Sequence, residues 1–267
     1  MNTTTLNPIP PPPARSLSTT LIQVGIAVAF IALMAWAWVG AEIRPWALVS
    51  NFGNTMTLAK DFFPPDLGDW KFYLKEMLVT VQIALWGSVL AVIAAIPLGL
   101  LAAANIAPVW VRQPTRRFLD CARAIHEMVF ALLFVVAVGL GPFAGVLAIF
   151  VHTTGILGKL FSEVVEAIDP GPVEGIRATG ASKLEEVAYG VIPQVLPLWI
   201  SYALYRFESN VRAATILGIV GAGGIGMPLY ETIRGFAYPQ AATVLIIIVV
   251  TVVIIDMVSA QVRRLTI

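Results

Sequence analysis

Long stretches of this chain carry no Asp, Glu, Lys or Arg at all: residues 16–41, 77–111, 128–158 and 235–255. A helix needs about 20 apolar residues to cross the hydrocarbon of a bilayer, so each stretch has room for at least one span. The whole composition agrees. Of the 267 residues 58% are hydrophobic and 12% charged, with a mean hydropathy of +0.84, whereas soluble domains carry roughly a quarter charged residues. The implied solvent is lipid, and the expected fold class is an all-α polytopic membrane protein.

Six transmembrane helices are expected, over 18–40, 76–104, 118–139, 142–160, 194–219 and 240–261. The boundary near 140 rests on Gly139-Leu140-Gly141-Pro142, where glycines and a proline favour a tight reversal over one long span. Residues 1–17, with four consecutive prolines, are expected to form a disordered or polyproline cytoplasmic tail ahead of a transmembrane domain over 18–267. Ala35-Trp36-Ala37 mimics a signal-peptide cleavage site, but the apolar run before it exceeds the roughly 7–15 residues of a signal core. Residues 41–75 hold turn chemistry in Pro64-Pro65-Asp66 and Gly68-Asp69 and are expected as a periplasmic connection. Trp46, Trp70 and Tyr73 there suit an interfacial belt or burial against helices. The arginines at 112, 116 and 117 and the pair Arg263-Arg264 favour both termini on the cytoplasmic side.

Seventeen Lys and Arg against sixteen Asp and Glu give a net charge of +1, without the basic excess of a nucleic-acid surface. A single cysteine, Cys121, excludes an intrachain disulfide. His126 and His152 lack a metal-ligand pattern, so no metal site is expected. No nucleophile elbow, HExxH or paired membrane aspartates suggest an enzyme, and no catalytic residue is expected. No GxxxxGK[ST] run is present, so the chain is expected to hold no nucleotide itself.

The most hydrophilic segment, over 161–193, is organised. Asp169-Pro170-Gly171-Pro172 places a proline at a helix start. Gly180 ends that helix, Ser182 and Glu185 form a capping-box pattern opening another, and Gly190 and Pro193 close it. An acidic short helix of this kind suits a protein socket better than anionic lipid. Glu174, Gly180 and Pro193 stand at the spacing Glu-x5-Gly-x12-Pro of the EAA loop of ABC-importer permeases. Gly175 and Ile176 replace its two alanines, and Gly190 and Ile192 stand where isoleucine and leucine are favoured.

Beyond that loop, residues 63–264 resemble the phosphonate ABC transporter permease family. The matching runs include FPPD, TVQIALWGS, IPLGLLAA, VGLGPFAGVLA, HTTGILGKLFSEVVE, PVEGIRATGAS, GVIPQVLP, LYRFESNVRAATILGIVGAGGIG and IDMVSAQVRR. His126, in the run RAIHE, departs from a proline favoured in the family. The resemblance implies the type I, MetI-like importer fold in a bacterial inner membrane. It also implies a homodimer, two ATP-binding subunits carrying ATP and Mg, and a periplasmic or lipid-anchored phosphonate-binding protein. Membrane lipid is a further expected partner and nucleic acid is not. Glu174, Gly175, Ile176, Arg177, Gly180 and Pro193 are the expected ATPase-coupling residues. Phosphite and hypophosphite importers look closely similar. An ATP-independent secondary transporter or channel is the alternative of another class, but neither an internal repeat nor a filter sequence is visible.

The fifth span carries charges that are expensive in hydrocarbon. Glu208 and Arg212 are four apart and are expected to pair within the helix; Glu208, Asn210 and Arg212 are candidate pathway residues. If Arg212 borders the path, its replacement by Ala abolishes uptake but spares assembly. Gly221, Gly223, Gly224 and Gly226 mimic a dinucleotide fingerprint, yet they follow a membrane helix rather than a strand. They are expected to let the helix end bend and backbones approach, as at a gate or dimer contact. Asp120, Arg123, His126 and Glu127 are expected as a self-satisfying group near the headgroups, and Asp256 has no evident partner.

Overall fold

A computed structural model describes residues 17–266, and the rest of the expected N-terminal tail lies outside the described residues. The described chain forms two compact units, one ending at Leu58 and one beginning at Ala59. In the first, α1 (Leu17–Gly40) is apolar around its whole circumference, and its described side chains are almost all exposed, as on a helix with lipid on every side. The connection expected as turns instead contains α2 (Pro45–Ser50) and α3 (Phe52–Asp61), the latter running across the unit boundary. Trp46 is exposed as an interfacial aromatic would be.

The second unit is a helix bundle organised on α4 (Trp70–Ala102) and α7 (Pro142–Glu166). α4 begins six residues before the expected start, so Tyr73 belongs to it and is buried in the core. Its buried face is a stripe of small residues, Ala84, Gly87, Ser88, Ala91, Ala95 and Gly99, spaced by three and four. Lipid supplies no hydrophobic drive between apolar helices, so such stripes hold helices by close packing. A Cβ on Gly87 would sit 2.6 Å from Ile149 Cγ2, and one on Gly99 2.8 Å from Phe161 Cβ.

The expected third span is broken. α5 (Val109–Ala124) and α6 (Glu127–Val138) meet at an elbow of 89° around Ile125 and His126. α5 lies on α7, where Gly158 would place a Cβ 2.6 Å from Leu119 Cδ2. The reversal at 139–141 falls where the glycines and Pro142 put it, with Pro142 opening α7.

After α7 come α8 (Pro170–Ala178) and the single turn α9 (Lys183–Glu185). A π-helical turn over Glu186–Val191 then leads straight into α10 (Ile192–Leu217). Gly190 and Pro193 therefore do not close the short helix, because a proline in the first turn of α10 forfeits no bond that the helix needs. α11 (Gly226–Arg234) and α12 (Tyr238–Thr266) complete the chain.

One core cluster gathers Met77, Ile83, Ile149, Val211, Leu217, Ile225 and Val244. A second gathers Leu157, Phe161, Val165, Val195 and Trp199 beside the α8 segment, with Phe161 and Trp199 stacked at 4.6 Å. Among the described residues five helices are long and apolar enough to span a membrane, and the bent pair, taken as one span, brings the number to six. The architecture is all-helical and polytopic, as expected, with its third span folded at an elbow.

Candidate functional site: a braced surface helix and an intramembrane polar layer

α8 is built to stand out and stay rigid. Asp169 caps it by accepting from the Gly171 N–H at 2.9 Å, and Pro170 opens its first turn. Gly180, at φ +82°, takes the chain out of the helix end in a left-handed conformation that favours glycine. Ser182 then donates from both its N–H and its hydroxyl to Glu185 Oε2, each at 2.7 Å, forming the capping box.

The brace is Glu186. Its buried carboxylate accepts from Arg177 Nε at 3.0 Å and Arg177 Nη2 at 2.9 Å, and from Lys183 Nζ at 3.0 Å. This bidentate clamp ties the far end of α8 to the π-helical turn. The hydrogen-bonded Glu186 carboxylate raises the Arg177 pKa above the ordinary arginine value. Gln194, in the first turn of α10, receives the Asp169 N–H and donates to the carbonyls of Asp169 (3.2 Å) and Gly190 (2.6 Å). Gly190 is a glycine because α8 lies on it: a Cβ there would stand 3.1 Å from Val173 Cα.

Of the expected coupling residues, Glu174, Gly175, Arg177, Gly180 and Pro193 are exposed and Ile176 is half-buried. A Cβ on Gly175 or Gly180 would meet nothing within 4 Å, so that face is open. A cavity of about 490 Å³ lies beneath α8, between Asn105 and Glu166 on one side and Arg177, Lys183 and Glu186 on the other. Glu186 and Gln194 escaped sequence reasoning because the partner that ties each of them to α8, Arg177 for Glu186 and Asp169 for Gln194, lies across a turn.

The polar residues of α10 form a layer inside the bundle. Asn210, 2% exposed, accepts from Thr153 Oγ1 at 3.1 Å and donates to Ser88 Oγ at 2.9 Å, joining α4, α7 and α10. Arg206 Nη2 donates to the same Asn210 oxygen at 3.3 Å. The expected pairing of Glu208 with Arg212 is not made. Glu208, buried, pairs with Arg263 at 2.5 Å, and Arg212 pairs with Asp256 at 3.1 Å, both on α12. Asp256 thus has its partner. Two ion pairs between helices satisfy charges that one pair within a helix would leave against lipid.

The group on the elbow also differs from expectation. Asp120 pairs with Arg123, but Glu127 reaches His152 on α7 at 3.0 Å, and His152 Nδ1 lies 2.8 Å from the Ile125 carbonyl. At 1.5 Å per residue, His152 is about 15 Å along α7 from Pro142.

The glycine run forms a stitched loop. Gly221, Gly223 and Gly224 all have φ above +80°. Gly221 O accepts from the Gly141 N–H at 2.9 Å, and the Ile225 N–H donates to Thr80 Oγ1 at 2.8 Å. A Cβ on Gly226 would stand 2.2 Å from the Thr215 carbonyl. The close backbone approach expected there occurs between parts of this one chain.

A polytopic helix bundle presenting a short, braced helix beside its spans defines the permease subunit of an ABC importer. The chain belongs to the family of binding-protein-dependent transport system inner membrane components, whose model matches residues 95–266. HtxC of Stutzerimonas stutzeri, named for a phosphite transport system, is 40% identical over 240 residues, covering 90% of this chain and 85% of that protein. PhnE2 of Escherichia coli K12, named for a cryptic phosphonate transport system, is 64% identical over 118 residues, covering 44% of this chain and 97% of that protein. A solved inward-facing structure of the MetNI methionine ABC transporter shares the fold. It has a TM-score of 0.64 at 21% identity and covers 75% of this chain and 98% of that one. The chain is a multi-pass permease subunit that works with an ATPase subunit and a binding protein.

Proposed function

We propose that the chain forms, as a homodimer, the pore of an importer for phosphonate. Two ATP-binding subunits hold ATP and Mg, and a periplasmic or lipid-anchored binding protein delivers the cargo. α8 and both termini lie on the cytoplasmic side. The observation that carries this reading is α8 itself: an open face at Glu174, Gly175 and Gly180, fixed from behind by Glu186 and Gln194. A helix held that firmly transmits force instead of absorbing it. Similarity to PhnE2 favours phosphonate, and similarity to HtxC supports phosphite as the second reading.

The test uses the complete transporter in vesicles, comparing uptake of methylphosphonate, phosphite, hypophosphite and inorganic phosphate. Uptake is expected to require ATP and the ATPase, with methylphosphonate preferred. Gly175→Trp adds bulk to the open face without the backbone strain that Gly180→Trp also brings, since only Gly180 has positive φ. Both variants are expected to insert normally, lose the copurifying ATPase and take up no cargo. Uptake by the permease alone, or normal docking in both variants, would overturn the reading.

A further inference from the structure

We propose that Arg206 is the residue on the translocation path that contacts the cargo's oxyanion, held in position by Asn210. This deepens the reading of the chain as an oxyanion importer and rests on it.

The argument begins with charge balance inside the spans. Glu208 has Arg263, Arg212 has Asp256 and Glu127 has His152. Arg206 lies one turn before Asn210 in the same stretch of α10, and among the described residues it makes no ion pair within 4.0 Å. Its one side-chain hydrogen bond among the described residues is the 3.3 Å contact with Asn210 Oδ1, and its buried Nε has no acceptor there. The Glu127 carboxylate is committed to His152 at 3.0 Å, with His126 at 3.8 Å. A guanidinium inside a span is expensive unless it is paired or faces water, which makes an unpaired one a functional residue by default.

A second observation places water or protein on the same side. The α5–α6 elbow breaks the helix beside His152, ten residues into the α7 span, and Ile125 and His126 are exposed there. Broken backbone at that depth is tolerated only where it is buried in protein or lines an aqueous cavity. His152, which holds the Ile125 carbonyl, also holds Glu127, and its neighbour Thr153 holds Asn210, the residue that Arg206 contacts. Elbow and guanidinium therefore border one polar region.

The chemistry fits a tetrahedral oxyanion. A planar guanidinium offers two parallel N–H donors to two oxygens, a geometry an ammonium cannot match. Asn210 anchors it from one side only, through an amide fixed by Thr153 and Ser88. One such contact, without a closed ring of donors, lets cargo leave as readily as it arrives.

The experiment measures methylphosphonate uptake and ATP hydrolysis by the complete transporter. With Arg206→Met, the maximal uptake rate is expected to fall by about ten-fold or more, the loss of roughly one charge-assisted contact. Hydrolysis stimulated by the binding protein and subunit assembly are expected to stay at wild-type level. Arg206→Lys, which keeps the charge but not the fork, is expected to transport at an intermediate rate. Wild-type uptake by Arg206→Met would overturn the proposal. So would assembly lost in Arg206→Met and regained in Arg206→Lys together with full uptake, because any cation then suffices as a structural charge. If the wild-type transporter moves no oxyanion in response to ATP, the failure lies with the importer reading instead.

Discussion

Glu208 and Arg212 show how local spacing misleads inside a membrane. Four residues apart on one helix, they could pair, yet each turns to α12, to Arg263 and Asp256. The alternative would leave Asp256 alone, and an isolated charge at such a position is unfavourable by about 2.5–3.5 kcal/mol. Arg212 is therefore a fastener between α10 and α12. Arg212→Ala and Asp256→Ala are each expected to lower the thermal stability of the detergent-solubilised protein and its yield in the assembled complex. The exchange Arg212→Asp with Asp256→Arg is expected to recover most of both, as read by melting temperature and copurification. Loss of uptake in the exchanged protein despite normal assembly would instead return Arg212 to the path.

The helices divide into those that composition reveals and those it does not. Charge-free stretches mark α1, α4, α7 and α12, because lipid tolerates little else. The EAA spacing marks α8, because a cap, a proline and Gly180 are all local devices. The α5–α6 elbow was not legible: RAIHE contains neither glycine nor proline, and what stabilises the break is His152, 27 residues away, reaching the Ile125 carbonyl. The continuity of the π-helical turn with α10 was hidden for the opposite reason, since Gly190 and Pro193 look like terminators. Only the approach of Val173 shows that Gly190 serves packing. Packing of α5 on α7 can be tested in the same way. Gly158→Leu adds a side chain where even a Cβ would meet Leu119 at 2.6 Å. Overpacking of this kind typically destabilises by about 1–3 kcal/mol. The variant is expected to melt earlier, and Leu119→Ala in the same chain is expected to restore part of the loss; no change in melting would refute the packing.

For the whole molecule, the decisive arrangement is the placement of Gln194. Its amide bridges the start of α8, the π-helical turn and the first turn of α10. Gln194→Leu removes three hydrogen bonds, each contributing about 0.5–1.5 kcal/mol. Such a transporter is expected to dock its ATPase and hydrolyse ATP at a normal rate while uptake falls several-fold. Proportional loss of hydrolysis and uptake would show that the amide serves folding alone. Because the tie bypasses the wide turn, that turn has no slack with which to cushion a tug on α8. Gln194 ties α8 to the first turn of α10, the helix that also carries Arg206, so a displacement of α8 is expected to reach the guanidinium along α10.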